Sequence, residues 1–204
     1  MTKPPAFRRA EPDARRLSLV EACARVLARE GVGGTSVRAI AVEAGVSAGL
    51  VGHYFSGIDA LVAATYAHVE EQVSLAIDAA VDEAGSNPRA RLEAFATASF
   101  RAPIADPQLL ATWIAFWSLV RSRPDIARQH AQQYAAFRQR LEALLGECGV
   151  PAAGQGSAAI GITALIDGLW LELCLSPDAF GAAEAARIVR AALDTVISTG
   201  RSAG

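Results

Sequence analysis

The 204-residue sequence is short of cysteine, of aromatic residues and of recognisable metal-binding or phosphate-binding motifs. Its three cysteines are an odd number without CxxC spacing, which argues against a disulfide framework and against a zinc site. The chain also has no HExxH motif, no phosphate loop and no Glu-x-x-His pair of the kind that holds a carboxylate-bridged metal. We therefore expect a protein that is not an enzyme and that uses neither a metal nor a cofactor.

The sequence also shows no recognisable targeting or membrane-spanning segment. The first residues, MTKPPAFRRAEPDARR, contain no apolar run of the signal-peptide type. No later stretch reaches about 18 apolar residues without a charge. The sequence therefore predicts a cytoplasmic protein with no membrane partner.

What the sequence does contain is helix-forming composition with clear helix boundaries. Alanine is abundant and β-branched residues are scattered singly, which favours an all-α fold. Ser36, Ser47, Asn87 and Asp106 are predicted N-caps, and three prolines follow as first helical residues. Nine helices are predicted, at about residues 13–30, 37–44, 48–54 and 58–83, from Pro88, from Pro107, and at about 124–147, 157–175 and 182–198.

The helix lengths divide the chain into a small head, residues 1–57, and a larger body, residues 58–204. Residues 1–60 carry eight Lys or Arg against six Asp or Glu, whereas the rest of the chain is acidic. A mildly basic head on an acidic body weakly indicates that the head has an anionic partner.

Two short helices in the head, SVRAIAVEAGVSAGLVGHYF, have the spacing of a helix-turn-helix, with Gly45 in the turn. The second helix of such a motif enters the major groove of DNA. Gly49 and Gly52 would let its backbone approach the sugar-phosphate wall, and arginines 8, 9, 15 and 16 form a basic arm that could follow the backbone or reach a minor groove. Packing in an ordinary helix corner remains an alternative. The predicted DNA-binding residues are Arg15, Arg16, Ser36, Arg38, Ser47, Ala48, Gly49, Leu50, Gly52, His53 and Tyr54.

The stretch TSVRAIAVEAGVSAGLVGHYF, followed by ALVAAT, resembles the DNA-binding domain of the TetR family of bacterial repressors, from about Arg15 to Thr65. The resemblance implies a homodimer that binds a palindromic operator in double-stranded DNA and holds a small-molecule inducer in its body. Ile58 stands where the family usually has a lysine that touches a phosphate. Loss of that contact should reduce the salt dependence of DNA binding by about one unit of slope.

The body contains WIAFWSLVRSRPDIAR and ALIDGLWLELCLS, which resemble the BetI-like subgroup, whose founding member is a choline-responsive repressor. A choline-like cation would suit an aromatic box with a counter-charge at Asp167. The aromatic residues at 113, 116 and 117 could equally form a core stripe, and Asp167 could instead pair with Arg121 or Arg123. The predicted ligand-binding residues are Trp113, Phe116, Trp117, Tyr134, Asp167 and Trp170.

The last two helices have wide faces of small and apolar residues, such as Gly161, Ala164, Ala191 and Ala192. Such faces suit close packing in an intersubunit four-helix bundle, although they also occur inside monomers. The interpretation with most support is a ligand-responsive, dimeric transcriptional repressor. The alternative is a helical ligand-binding or interaction module that no longer binds DNA, which Ile58 and the small basic excess would favour.

Overall fold

The structure is a computed structural model that describes residues 7–202, with side chains described from Pro12 to Gly200. Within these residues the chain forms nine α-helices, one short 3-10 helix at Ala98–Phe100, and no strand. The predicted all-α, nine-helix fold is therefore confirmed. The helices are α1 Phe7–Gly34, α2 Val37–Glu43, α3 Ala48–Tyr54, α4 Ile58–Glu83, α5 Pro88–Thr97, α6 Pro107–Val120, α7 Pro124–Glu147, α8 Ala152–Leu175 and α9 Ala182–Ser202.

The chain divides into two compact units. The first comprises Met1–Val69 and Ala111–Ile126, and the second comprises Glu70–Leu110 and Ala127–Gly204. The chain passes from one unit to the other within α4, then near the start of α6 and again near the start of α7. The boundary that the sequence predicts at residue 57 separates two functions and not two compact units, and it stays a prediction.

Side-chain caps set the beginnings of several helices, as the sequence predicts. The Asn87 side chain accepts a hydrogen bond from the Ala90 amide at 3.0 Å, in front of α5. The Asp106 carboxylate accepts from the amides of Gln108 at 2.9 Å and Leu109 at 3.1 Å, in front of α6. Each cap satisfies amides that a helix leaves without a partner in its first turn.

Three helices are longer than predicted. α1 runs from Phe7 to Gly34, although Gly31 inside it has non-helical angles, with φ 64° and ψ −171°, at the predicted stop. α8 begins at Ala152 and not at Ser157, so part of the predicted loop is helical, and α9 continues to Ser202. The glycines in these segments led the sequence analysis to predict loops that are too long, because packing can override helix propensity.

The first unit has an apolar core between α1, α4 and α6. Leu19, Cys23 and Leu61 are fully buried in it. Thr65 is also fully buried, and its hydroxyl donates to the Leu61 carbonyl at 2.8 Å. Burial raises the pKa of the Cys23 thiol to about 11, so this cysteine packs in the core as a small hydrophobic residue.

The second unit packs α5 against α9 and α8 against α9. The rings of Phe95 and Phe137 lie 4.6 Å apart between centroids. Among the described helices, α8 is long and apolar enough to cross a membrane by length and composition, and 28% of its most apolar window is buried. It nevertheless carries Asp167 and Glu172.

Candidate DNA-binding and ligand-binding sites

The two short helices of the head form a helix-turn-helix with serine caps. The Ser36 hydroxyl accepts from the Ala39 amide at 3.1 Å, and the Ser47 hydroxyl accepts from the Leu50 amide at 3.3 Å. Gly45 in the turn has φ 66°, a left-handed conformation that favours glycine. Both predicted caps and the predicted glycine turn are therefore confirmed.

Residues 45–49, GVSAG, also fit the GxSxG letters of a hydrolase nucleophile elbow. That motif places its serine between a strand and a helix. Here Ser47 lies between two helices, and the described part of the chain contains no strand. The serine therefore serves as a helix cap, and the letters carry no indication of hydrolase chemistry.

One side of α3 is buried and the other is bare. Val51 is 1% exposed and anchors the helix on its own unit, and Leu50 and Tyr54 are half-buried. The exposed side consists of Ser47, Ala48, Gly49, Gly52 and His53. The surface that α3 offers to a partner therefore has almost no side chain along its middle.

The glycines of α3 are not required by packing within the chain. A Cβ atom added at Gly52 would meet nothing within 4 Å, and one added at Gly49 would meet only the Ser47 hydroxyl at 3.9 Å. Alanine would also favour the helix by about 1 kcal/mol at each position. The missing side chains are therefore explained best by the close approach of something outside the chain.

Arginines near this surface fall into two groups. Arg15 and Arg38 are exposed, and their guanidinium groups make no hydrogen bond or ion pair with any residue that the structure describes. Arg25 and Arg29 instead both donate to the Glu43 carboxylate, at 2.7 and 2.9 Å, and these bonds lower the pKa of Glu43. Two head arginines are thus available to an anion, and two join α1 to α2.

Arg16 is engaged within the protein, although the sequence predicts it as a DNA contact. Its Nη1 atom donates to the Tyr54 carbonyl at 3.3 Å, and its guanidinium lies 4.3 Å from the centre of the Phe55 ring. The side chains of arginines 8 and 9, which were predicted as part of the same basic arm, lie outside the described residues.

Ile58, at the position of the expected lysine, is the first residue of α4. The next residue, Asp59, is held by Arg123, which donates to its carboxylate at 2.6 Å and to its carbonyl at 3.2 Å. Arg123 also bonds to Asp125 at 3.1 Å. Arg123 is therefore occupied in the first unit and is not the partner that the sequence offered for Asp167.

The predicted ligand-binding residues fall into two groups of three, one in each unit. In the first unit, Trp113 and Phe116 are buried on α6 and pack edge-on against Tyr66, with ring centroids 5.5 and 4.9 Å from it. Trp117 is half-buried on the same helix. The contacts of Trp113 and Phe116 are those of the core stripe that the sequence left as an alternative.

In the second unit, Tyr134 and Asp167 contact each other. The Tyr134 hydroxyl donates to the Asp167 carboxylate at 3.1 Å. Burial raises the pKa of Asp167 to about 6, against the smaller lowering effects of Tyr134 and the positive charge of Arg138. Trp170, one turn further along α8, is buried, and its indole N–H donates to the Ser99 carbonyl at 2.9 Å.

His130 belongs to this cluster, and sequence analysis missed it. Its ring lies 4.1 Å from the Tyr134 ring between centroids, and burial lowers its pKa, with a further lowering by Arg138. The spacing of His130 and Tyr134, four residues apart on α7, could have signalled the pair. The cluster places an aromatic tyrosine ring beside a carboxylate, a combination that can attract a small organic cation.

An open groove of about 340 Å³ lies elsewhere in the second unit, between the second half of α4 and residues 98–104. Leu75, Arg101 and Ile104 are among its lining residues. None of the six predicted ligand residues, all of which the structure describes, lines this groove. The groove therefore gives no support to the predicted ligand site.

Comparison with known proteins bears on both sites. Residues 19–65 match the family model described as bacterial regulatory proteins of the tetR family. Residues 88–198 match the model of the C-terminal region of BetI-type transcriptional repressors. The chain is 33% identical over 187 residues to the HTH-type transcriptional regulator BetI of Paraburkholderia phytofirmans, covering 91% of this chain and 94% of the relative.

Solved structures show the same architecture. A transcriptional regulator from Pseudomonas aeruginosa PAO1 is 41% identical, with a TM-score of 0.83 and 97% of each chain covered. A regulator from Saccharomonospora viridis, solved in complex with choline, has a TM-score of 0.76 at 19% identity, covering 89% of this chain and 96% of that one. At 19% identity, the similarity to the regulator from Saccharomonospora viridis shows a shared fold and no more.

Proposed function

We propose that this chain, which belongs to the TetR family and is a BetI-type transcriptional repressor, binds a palindromic operator as a homodimer and responds to a choline-like cation. Regulators of this family bind DNA and small molecules and are generally not enzymes. Residues 1–57 would form the DNA-binding domain and residues 58–204 the ligand-binding and dimerisation domain. We place its activity in the cytoplasm, where regulators of this bacterial family act.

The bare, exposed side of α3 is the observation that carries the DNA-binding proposal. A recognition helix that has no side chain at some of its exposed positions can bring its backbone closer to the DNA in the major groove. Gly49 and Gly52 permit this, and packing within the chain does not require glycine at either position. Arg15 and Arg38 supply exposed positive charge. The proposed contacts on and around α3 are Ser36, Ser47, Ala48, Gly49, Leu50, Gly52, His53 and Tyr54, and Arg16 stays a sequence prediction.

Replacing Arg38 by alanine should weaken operator binding and make it less sensitive to salt. The reason is that a guanidinium bonded to no described residue is available to neutralise one phosphate per subunit. We expect the slope of log affinity against log salt to fall by about two units for a dimer. Fluorescence anisotropy with labelled DNA from upstream of the gene measures both quantities.

Arg101→Ala is the matched control for this experiment, because Arg101 is an exposed arginine of the second unit. It should leave both affinity and slope unchanged. The proposal fails if the wild-type protein shows no preference for the upstream DNA over scrambled DNA of equal length at low salt. It also fails if Arg38→Ala binds the operator as the wild type does.

A homodimer is proposed because α8 exposes a continuous apolar face. Ile160 is 61% exposed and Leu175 is 66% exposed, with Gly161, Ala164 and Gly168 exposed between them. On α9, Ala191 and Thr195 are exposed as well, with half-buried apolar residues beside them. Exposed apolar stripes of this length normally mark an interface, and two copies of α8 and α9 can form a four-helix bundle.

Ile160→Asp should convert the dimer into a monomer, because it places a charge within the apolar face that we propose as the interface. Sedimentation equilibrium would measure the mass, and operator affinity should fall with it because only one half-site can be held at a time. Leu75→Asp provides the control, since Leu75 is 55% exposed but lies on α4. A wild-type protein that sediments as a monomer, or an unaffected Ile160→Asp dimer, would rule out this interface.

The ligand proposal centres on Tyr134 and Asp167, with Trp170 beside them and His130 added by the structure. An ionised Asp167 in this half-buried position lacks a cationic partner within hydrogen-bonding distance among the described residues. A choline-like cation would supply the missing charge, and ring faces attract such cations by about 1–2 kcal/mol when desolvated. Trp113, Phe116 and Trp117 stay sequence predictions for the same ligand.

A further inference from the structure

The last turn of α3 is held from outside the helix. α3 has only seven residues, so its last carbonyl groups have no partner within the helix. The Phe55 amide closes the final turn by donating to the Val51 carbonyl at 3.0 Å. The carbonyl of Tyr54, the last helical residue, receives its hydrogen bond from Arg16 on α1.

Arg16 makes two contacts with the same end of α3. Besides the bond to Tyr54 at 3.3 Å, its guanidinium stacks on the ring of Phe55 at 4.3 Å. Phe55 is itself 4% exposed, so the ring is a fixed surface. A positive charge at the C-terminal end of a helix is favourable, and so is a guanidinium over an aromatic face. Both contacts fix α3 relative to α1.

We propose that Arg16 is a positioning residue for DNA recognition: it holds the C-terminal end of α3 through Tyr54 and Phe55 and does not neutralise a DNA phosphate. This inference rests on the proposed role of α3. The angle of a seven-residue helix on its unit determines where Gly49 and Gly52 face, so loss of one end contact changes the fit of the whole helix.

The neighbouring arginine gives a matched comparison. Arg15 is the adjacent residue, carries the same charge and is also exposed. Its guanidinium, however, bonds to no residue that the structure describes. Arg15 is therefore the proposed phosphate contact and Arg16 the residue that acts through α3. The two roles predict different responses to salt, because only a phosphate contact releases counterions when it forms.

The test compares Arg15→Gln, Arg16→Gln and Arg16→Lys in salt-dependent anisotropy with the upstream DNA. Arg15→Gln should lower the salt slope by about two units for a dimer. Arg16→Gln should keep the wild-type slope and lower affinity by on the order of tenfold. Arg16→Lys should not restore affinity, because an ammonium group cannot reproduce the planar stacking and forked donor geometry.

Hydrogen exchange on the free protein provides a readout that does not need DNA. Amides of residues 51–55 should exchange faster in Arg16→Gln than in the wild type, and Arg15→Gln should leave them unchanged. A reduced salt slope in Arg16→Gln with unchanged exchange would overturn the proposal. If the wild type does not bind the upstream DNA, the DNA-binding function fails, while the exchange comparison still decides whether Arg16 holds α3.

Discussion

Alanine at positions 49 and 52 should stabilise the protein and weaken its binding to DNA at the same time. Alanine is favoured over glycine by about 1 kcal/mol at an interior helix position. Nothing in the described structure opposes it, since the added Cβ atoms meet at most the Ser47 hydroxyl at 3.9 Å. The free energy of unfolding should therefore rise, by up to about 2 kcal/mol for the double variant.

The same methyl groups would stand on the exposed side of α3 that we propose faces the DNA. In the major groove they would hold the backbone away from the sugar-phosphate wall and lengthen the contacts made from it. We expect operator affinity to fall at least about tenfold, which corresponds to 1.4 kcal/mol. Denaturant unfolding and anisotropy with the same protein preparations would measure the two effects together.

Gly154→Ala is the control for these variants. Gly154 lies in the first turn of α8, and a Cβ there makes only an ordinary contact with Val150 at 3.8 Å. It should stabilise the protein and leave operator affinity unchanged. If the double variant at 49 and 52 binds the operator as tightly as the wild type, the glycines have no role in approach to DNA.

Asp167→Asn should remove the response to choline while stabilising the protein at neutral pH. Asparagine keeps an oxygen that can accept from Tyr134 but lacks the charge that a cation would pair with. Truncating one partner of a buried charge pair costs on the order of 2–5 kcal/mol, so affinity should fall about 30-fold or more. Calorimetric titration with choline measures this directly.

The stability effect follows from the raised pKa of Asp167. Its pKa is about 6 in the folded protein and 3.8 ordinarily, because burial disfavours the charged form. The stabilising contribution of the protonated form is thus complete below about pH 4 and is lost as pH rises through about 6. At pH 7 the variant should be more stable than the wild type by about 2–3 kcal/mol, and the two should converge near pH 4.

Other titrating groups near Asp167 are His130, Tyr134 and Arg138, and they are present in both proteins. The lowered pKa of His130 has the opposite effect, since its contribution is lost as pH falls. The difference between wild type and variant therefore isolates Asp167.

Choline affinity of the wild type should also decline below about pH 6, by up to about tenfold per pH unit, whereas that of Asp167→Asn should not. Asp82→Asn is the control, because Asp82 is an exposed carboxylate of the second unit on α4, away from the proposed dimer interface, and it should change neither stability nor choline binding. Choline binding by Asp167→Asn with wild-type affinity would contradict the proposed counter-charge.

The fold was predictable to the extent that its signals are local. Ser36, Ser47 and Asn87 lie within three residues of the amides that they cap, so sequence alone locates the starts of their helices. The start of α8 was misplaced by five residues because glycines at 154 and 156 indicate a loop. In the structure Gln155 donates to the Val150 carbonyl at 2.9 Å, and the surrounding segment is helical.

Contacts between distant residues could not be predicted in the same way. Arg16 and Tyr54 are 38 positions apart, and Tyr134 and Asp167 are 33 apart. Periodicity indicates which face of a helix is buried but not which helices meet. For this reason the sequence offered arginine partners for Asp167, whereas the structure gives it a tyrosine and gives Arg123 to Asp59.

The most direct test of the central claim is a methylation-interference experiment on the upstream DNA. Dimethyl sulfate methylates guanine N7 in the major groove and adenine N3 in the minor groove, so it distinguishes the two grooves. If two copies of α3 each enter a major groove, methylated guanines should block binding in two symmetric clusters, with half-site centres separated by about 10 base pairs or a multiple of that distance. Interference by adenine N3 alone, or in a single cluster, would contradict the account.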